Sequence, residues 1–286
     1  MPSLEILAKA KLNLTLDVIG KRPDGYHDLR MVMQSVGLGD QLTVEIGTKG
    51  GLNIRTDLNF LPNDERNLAA KAALHFREAT GRDWNGLSIS IQKKIPVCAG
   101  MAGGSSDAAA VLRALNQMTG ADLTPGSLAQ IGETVGSDVP YCLLGGTALA
   151  EGRGELLTPL PPLPDCDIVI CKPRFSISTP ELFGRLKGVK LRCRPDTEGV
   201  LAALESGDLA GVARRMYNVF EPILSPSQGK TVSDIKQSLI RCGALGATMS
   251  GTGPTVFGIF DHPESAREAQ RILSEQYRDV FLTRPV

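Results

Sequence analysis

The sequence has few of the residues that mark a specialised environment. It contains three histidines, His27, His75 and His262, and no Cys-x-x-Cys pair among Cys98, Cys142, Cys166, Cys171, Cys193 and Cys242. The ligand spacing of a structural zinc site is therefore missing. Neither sign of charge is in excess: Lys plus Arg total 31 and Asp plus Glu total 31. That balance argues against broad electrostatic binding to nucleic acid or anionic membrane and leaves room for a local basic pocket. Long apolar runs are also lacking, since the stretch 139–150 is far too short to span a bilayer. The first twenty residues are broken by Glu5, Lys9 and Lys11 and do not read as a signal peptide. Internal repeats and low-complexity tracts are missing as well. A cytoplasmic protein with free thiols that act mainly as packing residues is the expectation.

What remains is ordinary globular composition, 42% hydrophobic and 22% charged, over 286 residues, enough for one large domain or two ordinary ones. Residues 8–18 alternate: Ala8, Ala10, Leu12, Leu14, Leu16 and Val18 on one face, Lys9, Lys11, Asn13, Thr15 and Asp17 on the other, which predicts a strand. A turn at 22–25 leads to predicted strands at 29–36 and 42–46. Asn63 and Asp64 offer N-cap chemistry for a helix to about Thr80, closed by Gly81. A strand at 87–91 ends by Pro96. A glycine-rich loop follows, and Ser105-Ser106-Asp107 opens a helix to about Gly120. Thr124-Pro125 starts another helix, ending near Gly136. A hairpin is expected at 148–151 and 156–160. Leu160-Pro-Pro-Leu-Pro164 is the best linker, because consecutive prolines continue neither a helix nor a central strand. Beyond it the pattern predicts strands at 168–171, 255–260 and 280–283. Helices are predicted at 179–187, 196–205, 208–217, 228–241 and 263–276. The fold class is α+β in two domains, 1–160 and 161–286.

Three loops carry chemistry. The strongest is the strand–loop–helix passage from Pro96 to Asp107, where glycines let backbone approach an anion and a helix start presents free N–H groups to it. It matches neither a P-loop nor a G-x-G-x-x-G fingerprint, and the chain lacks the His-Arg-Asp triplet of protein kinases. The second is the glycine cluster 246–254. The third is Gly136-Ser-Asp-Val-Pro140, whose Asp138 suits a base but equally a turn or helix cap. Lys9 and Lys11 share a strand face, and spacing alone does not choose between them.

Together the Lys-bearing strand, the P-x-x-x-G-x-x-G-G-S-S loop and a later S-G-x-G motif, in this order, resemble the kinase superfamily of galactokinase, homoserine kinase, mevalonate kinase and phosphomevalonate kinase. Further matching stretches are Ala10-Lys-Leu-Asn13, Arg22-Pro-Asp-Gly-Tyr-His27, 145–150 and Ser250-Gly-Thr-Gly-Pro254. They are most similar to the branch acting on a cytidine-diphosphate-linked methylerythritol. The resemblance implies an N-terminal nucleotide-binding domain like ribosomal protein S5 and a ferredoxin-like C-terminal domain. It implies transfer of the γ-phosphoryl of ATP, with Mg²⁺, to a 2-hydroxyl. On that footing Asp138 is the base and Lys11, not Lys9, the cation. Pro96, Val97, Cys98, Ala99, Gly100, Met101, Ala102, Gly103, Gly104, Ser105 and Ser106 hold ATP, and a serine of this group, Ser106 above all, is the expected Mg²⁺ ligand. Asn13, Tyr26 and His27 face the substrate, and Phe183 stacks on its base. Met101-Ala102 departs from the more frequent Leu-Gly, so Ala102 is expected at negative φ or slightly away from phosphate. A small-molecule substrate, no nucleic-acid or membrane partner, and a monomer or weak homodimer complete the expectation.

Overall fold

A computed structural model describes residues 2–47, 50–186 and 188–286. The strands are β1 (Ser3–Lys21), β2 (His27–Ile46), β3 (Gly51–Thr56), β4 (Gly86–Gln92), β5 (Thr147–Gly152), β6 (Leu156–Pro159), β7 (Asp167–Lys172), β8 (Tyr217–Asn218), β9 (Gly246–Met249), β10 (Val256–Phe260) and β11 (Asp279–Thr283). The helices are α1 (Leu68–Thr80), α2 (Gly103–Thr119), α3 (Pro125–Val135), α4 (Val139–Leu144), α5 (Thr179–Arg185), α6 (Thr197–Glu205), α7 (Leu209–Arg215), α8 (Pro226–Arg241) and α9 (Pro263–Ser274). The end expected for α5 at Lys187 lies outside the described residues.

By internal contacts the chain forms two units. One comprises Met1–Ala10, Leu38–Ile95 and Ala102–Gly145; the other comprises Lys11–Gly37, Pro96–Met101 and Gly146–Val286. In the first, β2 pairs antiparallel with β4 (Leu42 opposite Ile91, Val44 opposite Ile89), and β3 lies parallel to β4. Leu42, Val44, Ile54, Leu87, Ile89 and Ile91 are all buried. Helices α1 and α2 pack together, and both bury alanines (Ala69, Ala70, Ala72 and Ala73 in α1; Ala108, Ala109, Ala110 and Ala114 in α2), small side chains that let helices approach closely. In the second unit, β2 pairs with β5 (Met31 opposite Ala150), β5 with β6, and β1 runs parallel to β8. A separate antiparallel sheet has the order β11-β7-β10-β9. Helices α8 and α9 lie against it, through Val232, Ile235 and Leu239 and through Ala266, Ala269 and Leu273 respectively. That chain order and strand order are the ferredoxin-like βαββαβ arrangement.

Several sequence expectations are corrected. The strands expected at 29–36 and 42–46 are one strand, β2. Its glycines are not turn residues: a Cβ at Gly39 would stand 2.7 Å from the Ala8 carbonyl oxygen, so glycine admits a neighbouring backbone. Helix α1 is capped not by Asn63 or Asp64 but by Asn67, whose side chain accepts from Ala69 N–H. Asp64 instead binds Arg66, and Asn63 accepts from Thr56 N–H. Helix α2 opens at Gly103, two residues before Ser105. Strands β3 and β9 add to the expected set: β3 lies beside β4, and 246–249, within the glycine cluster, pairs with β10. The polar face of β1 is not uniform: Lys9 is exposed, whereas Lys11, Asn13, Thr15 and Asp17 are buried. Cys142, Cys166 and Cys171 are packed, but Cys98 and Cys193 are exposed.

Candidate active site

The glycine loop has an unusual backbone. Cys98, Gly100 and Ala102 take positive φ of 52°, 73° and 56°, and the residues between them do not. Such alternation turns successive N–H groups toward one concave side, an arrangement that receives anions. Ala102 thus corrects the expectation of negative φ. Left-handed φ at a residue with a Cβ costs about 1–2 kcal/mol, so Cys98 and Ala102 must be held in place by their surroundings. Ala102 occupies the N-cap position of α2 and makes no side-chain cap, so the helix start carries no side chain of its own on its first amides.

The restraints are visible. Lys11 N–H donates to the Met101 carbonyl at 3.3 Å. Ser250, fully buried, donates its hydroxyl to the Gly100 carbonyl at 2.9 Å and accepts from Asn13 N–H at 3.2 Å. One hydroxyl therefore ties β1, the glycine loop and the turn after β9. Only glycine fits at 100, since a Cβ there would lie 2.2 Å from the Ser250 carbonyl oxygen. Asn218, 1% exposed, steadies the same turn by donating to the Met249 and Gly251 carbonyls, each at 2.8 Å.

Lys11 and Asn13 point the same way, as their spacing in a strand requires, and Lys11 Nζ donates to Asn13 Oδ1 at 2.7 Å. Lys11 is only 4% exposed, which separates it from the solvated Lys9. In the other unit, Asp138 stands half-buried at the N-cap position of α4, yet its side chain does not cap that helix. The turn bearing it lies beside the start of α2: a Cβ at Gly136 would be 3.9 Å from Ser105 Oγ. The Ser106 hydroxyl donates to the Lys9 carbonyl.

His27 and Phe183 come together with ring centroids 4.8 Å apart and planes 29° from parallel, and Phe183 meets Phe220 edge-on. Phe183 is half-buried, while its neighbour Leu182 takes the core position of α5. Burial, with Lys21 nearby, lowers the His27 pKa below the ordinary histidine value, which favours the neutral ring. Tyr26 is exposed, with the Arg153 guanidinium 5.3 Å from its ring centroid.

A cluster that the sequence did not reveal sits by the start of α2. Lys93 Nζ donates to Asp40 Oδ2 at 2.5 Å and to Asp107 Oδ2 at 2.6 Å. Burial acts to lower the Lys93 pKa, but Asp107 and Asp40 together raise it above the ordinary lysine value. Burial pushes the Asp107 carboxyl up, Lys93 opposes this and Asp40 adds to it. Among the described residues no group of three or more His, Cys, Asp or Glu is placed to hold a metal. Nor is any helix among them long and apolar enough to cross a membrane.

Residues 67–146 match the model of the GHMP kinases N terminal domain and residues 200–279 that of the GHMP kinases C terminal. The chain is 43% identical to the 4-diphosphocytidyl-2-C-methyl-D-erythritol kinase of Alkaliphilus metalliredigens, covering 99% of this chain and 96% of that one. It is 44% identical to the protein of the same name from Clostridium botulinum strain Alaska E43, covering 99% and 100%. A crystal structure of a 4-(cytidine 5'-diphospho)-2C-methyl-D-erythritol kinase superposes with a TM-score of 0.83 at 33% identity, over 99% of both chains.

Proposed function

The chain belongs to the GHMP kinases, in the family of 4-diphosphocytidyl-2-C-methyl-D-erythritol kinases, and from that premise we propose how its residues divide the work. The enzyme transfers the γ-phosphoryl of ATP to the 2-hydroxyl of the cytidylated alcohol, a step in making isoprenoid precursors. The alternating backbone of Cys98 to Ala102, continued by the uncapped start of α2, carries this reading. It offers converging N–H groups, the chemistry that a polyphosphate requires. Residues Pro96 to Ser106 hold ATP.

In this reading the substrate oxygen attacks the γ-phosphorus as the bond to the β–γ bridging oxygen breaks, and the hydroxyl proton passes to Asp138. A half-buried carboxylate at the start of α4 suits that role. Lys11, buried and oriented by Asn13, stabilises charge on the reacting oxygens. Asn13 also orients the alcohol. His27, neutral, hydrogen-bonds the cytosine edge, and Tyr26 and Phe183 supply aromatic faces for it. Mg²⁺ takes most of its ligands from phosphate and water, so one hydroxyl suffices from the protein. Ser106 serves, because its proton goes to the Lys9 carbonyl and its lone pairs remain acceptors. When bound, the ion neutralises phosphate charge during transfer.

The same reading makes the protein a cytoplasmic monomer or weak homodimer, with a boundary at residue 160 between an ATP-binding part, 1–160, and a substrate-side part, 161–286. It has no nucleic-acid or membrane partner. The test is ADP release with Mg-ATP and the cytidylated methylerythritol, run beside mevalonate, homoserine and galactose. Turnover confined to the cytidylated alcohol is expected. Turnover with another of the four would remove the cytosine roles of Tyr26, His27 and Phe183.

A further inference from the structure

Lys93 sits between β4 and the glycine loop, with its side chain 5% exposed. Two of its three donors are taken, one by each carboxylate. Asp40, fully buried, is itself anchored: its other oxygen accepts from Lys94 N–H at 2.6 Å and Ile95 N–H at 2.8 Å. Asp107 belongs to the first turns of α2, and its Oδ1 is buried without a hydrogen-bond partner. The ammonium lies beneath the first residue of the same helix, since a Cβ built on Gly103 would stand 3.5 Å from Nζ and 3.1 Å from Ile95 Cγ2. The arrangement thus links the second half of β2, the segment after β4 and the start of α2.

Its charge decides what it does. One ammonium is matched by two carboxyl groups, so the cluster presents no net positive charge to a phosphate. A lysine meant to attract ATP directly would not be enclosed this way. We propose that Lys93 is a positioning residue: held by Asp40 and Asp107, it sets the orientation of Gly103, Gly104 and the first amides of α2 that receive the polyphosphate. This rests on the reading of residues 96–106 as the ATP cradle.

The two possible roles of Lys93 separate by rescue. Lys93→Met leaves two buried carboxyl groups facing each other with no cation between them. Adding Asp107→Asn replaces one with an amide that can donate to Asp40. A positioning lysine is rescued by that second change; a lysine that touches phosphate is not. Steady-state kinetics of the full chain should show the KM for ATP about tenfold higher in Lys93→Met, with the KM for the alcohol within about twofold. In Lys93→Met/Asp107→Asn the KM for ATP should return to within about threefold of the parent. A double variant no better than the single one overturns the proposal. So does an equal rise in both KM values, or a fall in kcat alone, which is what a partly folded sample would give.

Amide hydrogen exchange with Mg-ADP keeps the two readings apart. If Mg-ADP does not protect amides 100–106 in the parent, the cradle reading fails and Lys93 with it. If it protects them equally in the parent and in Lys93→Met, the cradle stands and only the role of Lys93 is lost. Should Lys93→Met not fold, Asp107→Asn alone carries the test. It loosens one side of the clamp and should raise the KM for ATP about threefold, and an unchanged KM overturns the proposal.

Discussion

Asp138 and His27 are the residues whose roles are most exposed to test. Asp138→Asn keeps size and hydrogen bonding but cannot take the hydroxyl proton. General-base catalysis contributes about 10²–10⁴-fold, so kcat should fall by that order while the dissociation constant for ATP, measured by calorimetry, moves less than about threefold. Turnover at the parental rate would remove Asp138 as base. His27 gives a pH signature. Its pKa is lowered by burial and by Lys21, so the neutral ring persists to lower pH than in a free histidine. The sign follows: any contribution of the neutral ring is intact above the ordinary histidine value and is lost only as pH falls below it. The KM for the cytidylated alcohol should therefore rise on the acid side, with its midpoint below the ordinary histidine value. His27→Ala should raise that KM throughout and abolish the acid-side rise, leaving the KM for ATP nearly unchanged. A parental rise with its midpoint above the ordinary histidine value would refute the assignment.

Between elements, the tie made by Ser250 is the most economical target. Ser250→Ala removes the donor to Gly100 and the acceptor of Asn13 N–H, both within a buried region. Each stranded polar group costs about 1–3 kcal/mol, so the urea midpoint should drop and the KM for ATP rise as the left-handed loop relaxes. A variant equal to the parent in both would show that the loop holds its shape without this hydroxyl. Such ties mark the limit of what the sequence discloses. The i, i+2 relation of Lys11 and Asn13 is local and readable from strand alternation, as are the apolar face of β1 and the helices α2 and α9. The link from Ser250 to Gly100 spans 150 positions, and that from Lys93 to Asp40 spans 53, so no periodicity announces them. Short or glycine-led strands, such as β3 and β9, look like turns until a partner strand is known. Asn63, Asp64 and Asn67 are interchangeable as caps by type, and only the geometry chose Asn67. Ser225 with Gln228 forms a capping box that places the start of α8 at Pro226, two residues ahead of the expected 228.

At the scale of the whole molecule the balanced charge has a consequence for how phosphate is held. With formal net charge zero, no general field draws in a polyanion, and the proposed cradle works through backbone amides and a helix end, whose influence falls off within a turn. Lys93 adds no net positive charge, being matched by both Asp40 and Asp107. Binding through an array of lysines and arginines would release condensed counterions and weaken steeply with salt, as it does on nucleic acid. Binding through oriented amides should not. The KM for ATP, at fixed free Mg²⁺, should therefore change less than about threefold between roughly 50 and 200 mM NaCl. A fluorescent DNA duplex should show no anisotropy change with about 10 µM protein at the lower salt. A KM rising tenfold or more over that range would mean that side-chain cations, not the alternating backbone of Cys98 to Ala102, carry the phosphate, and duplex binding would overturn the absence of a nucleic-acid partner.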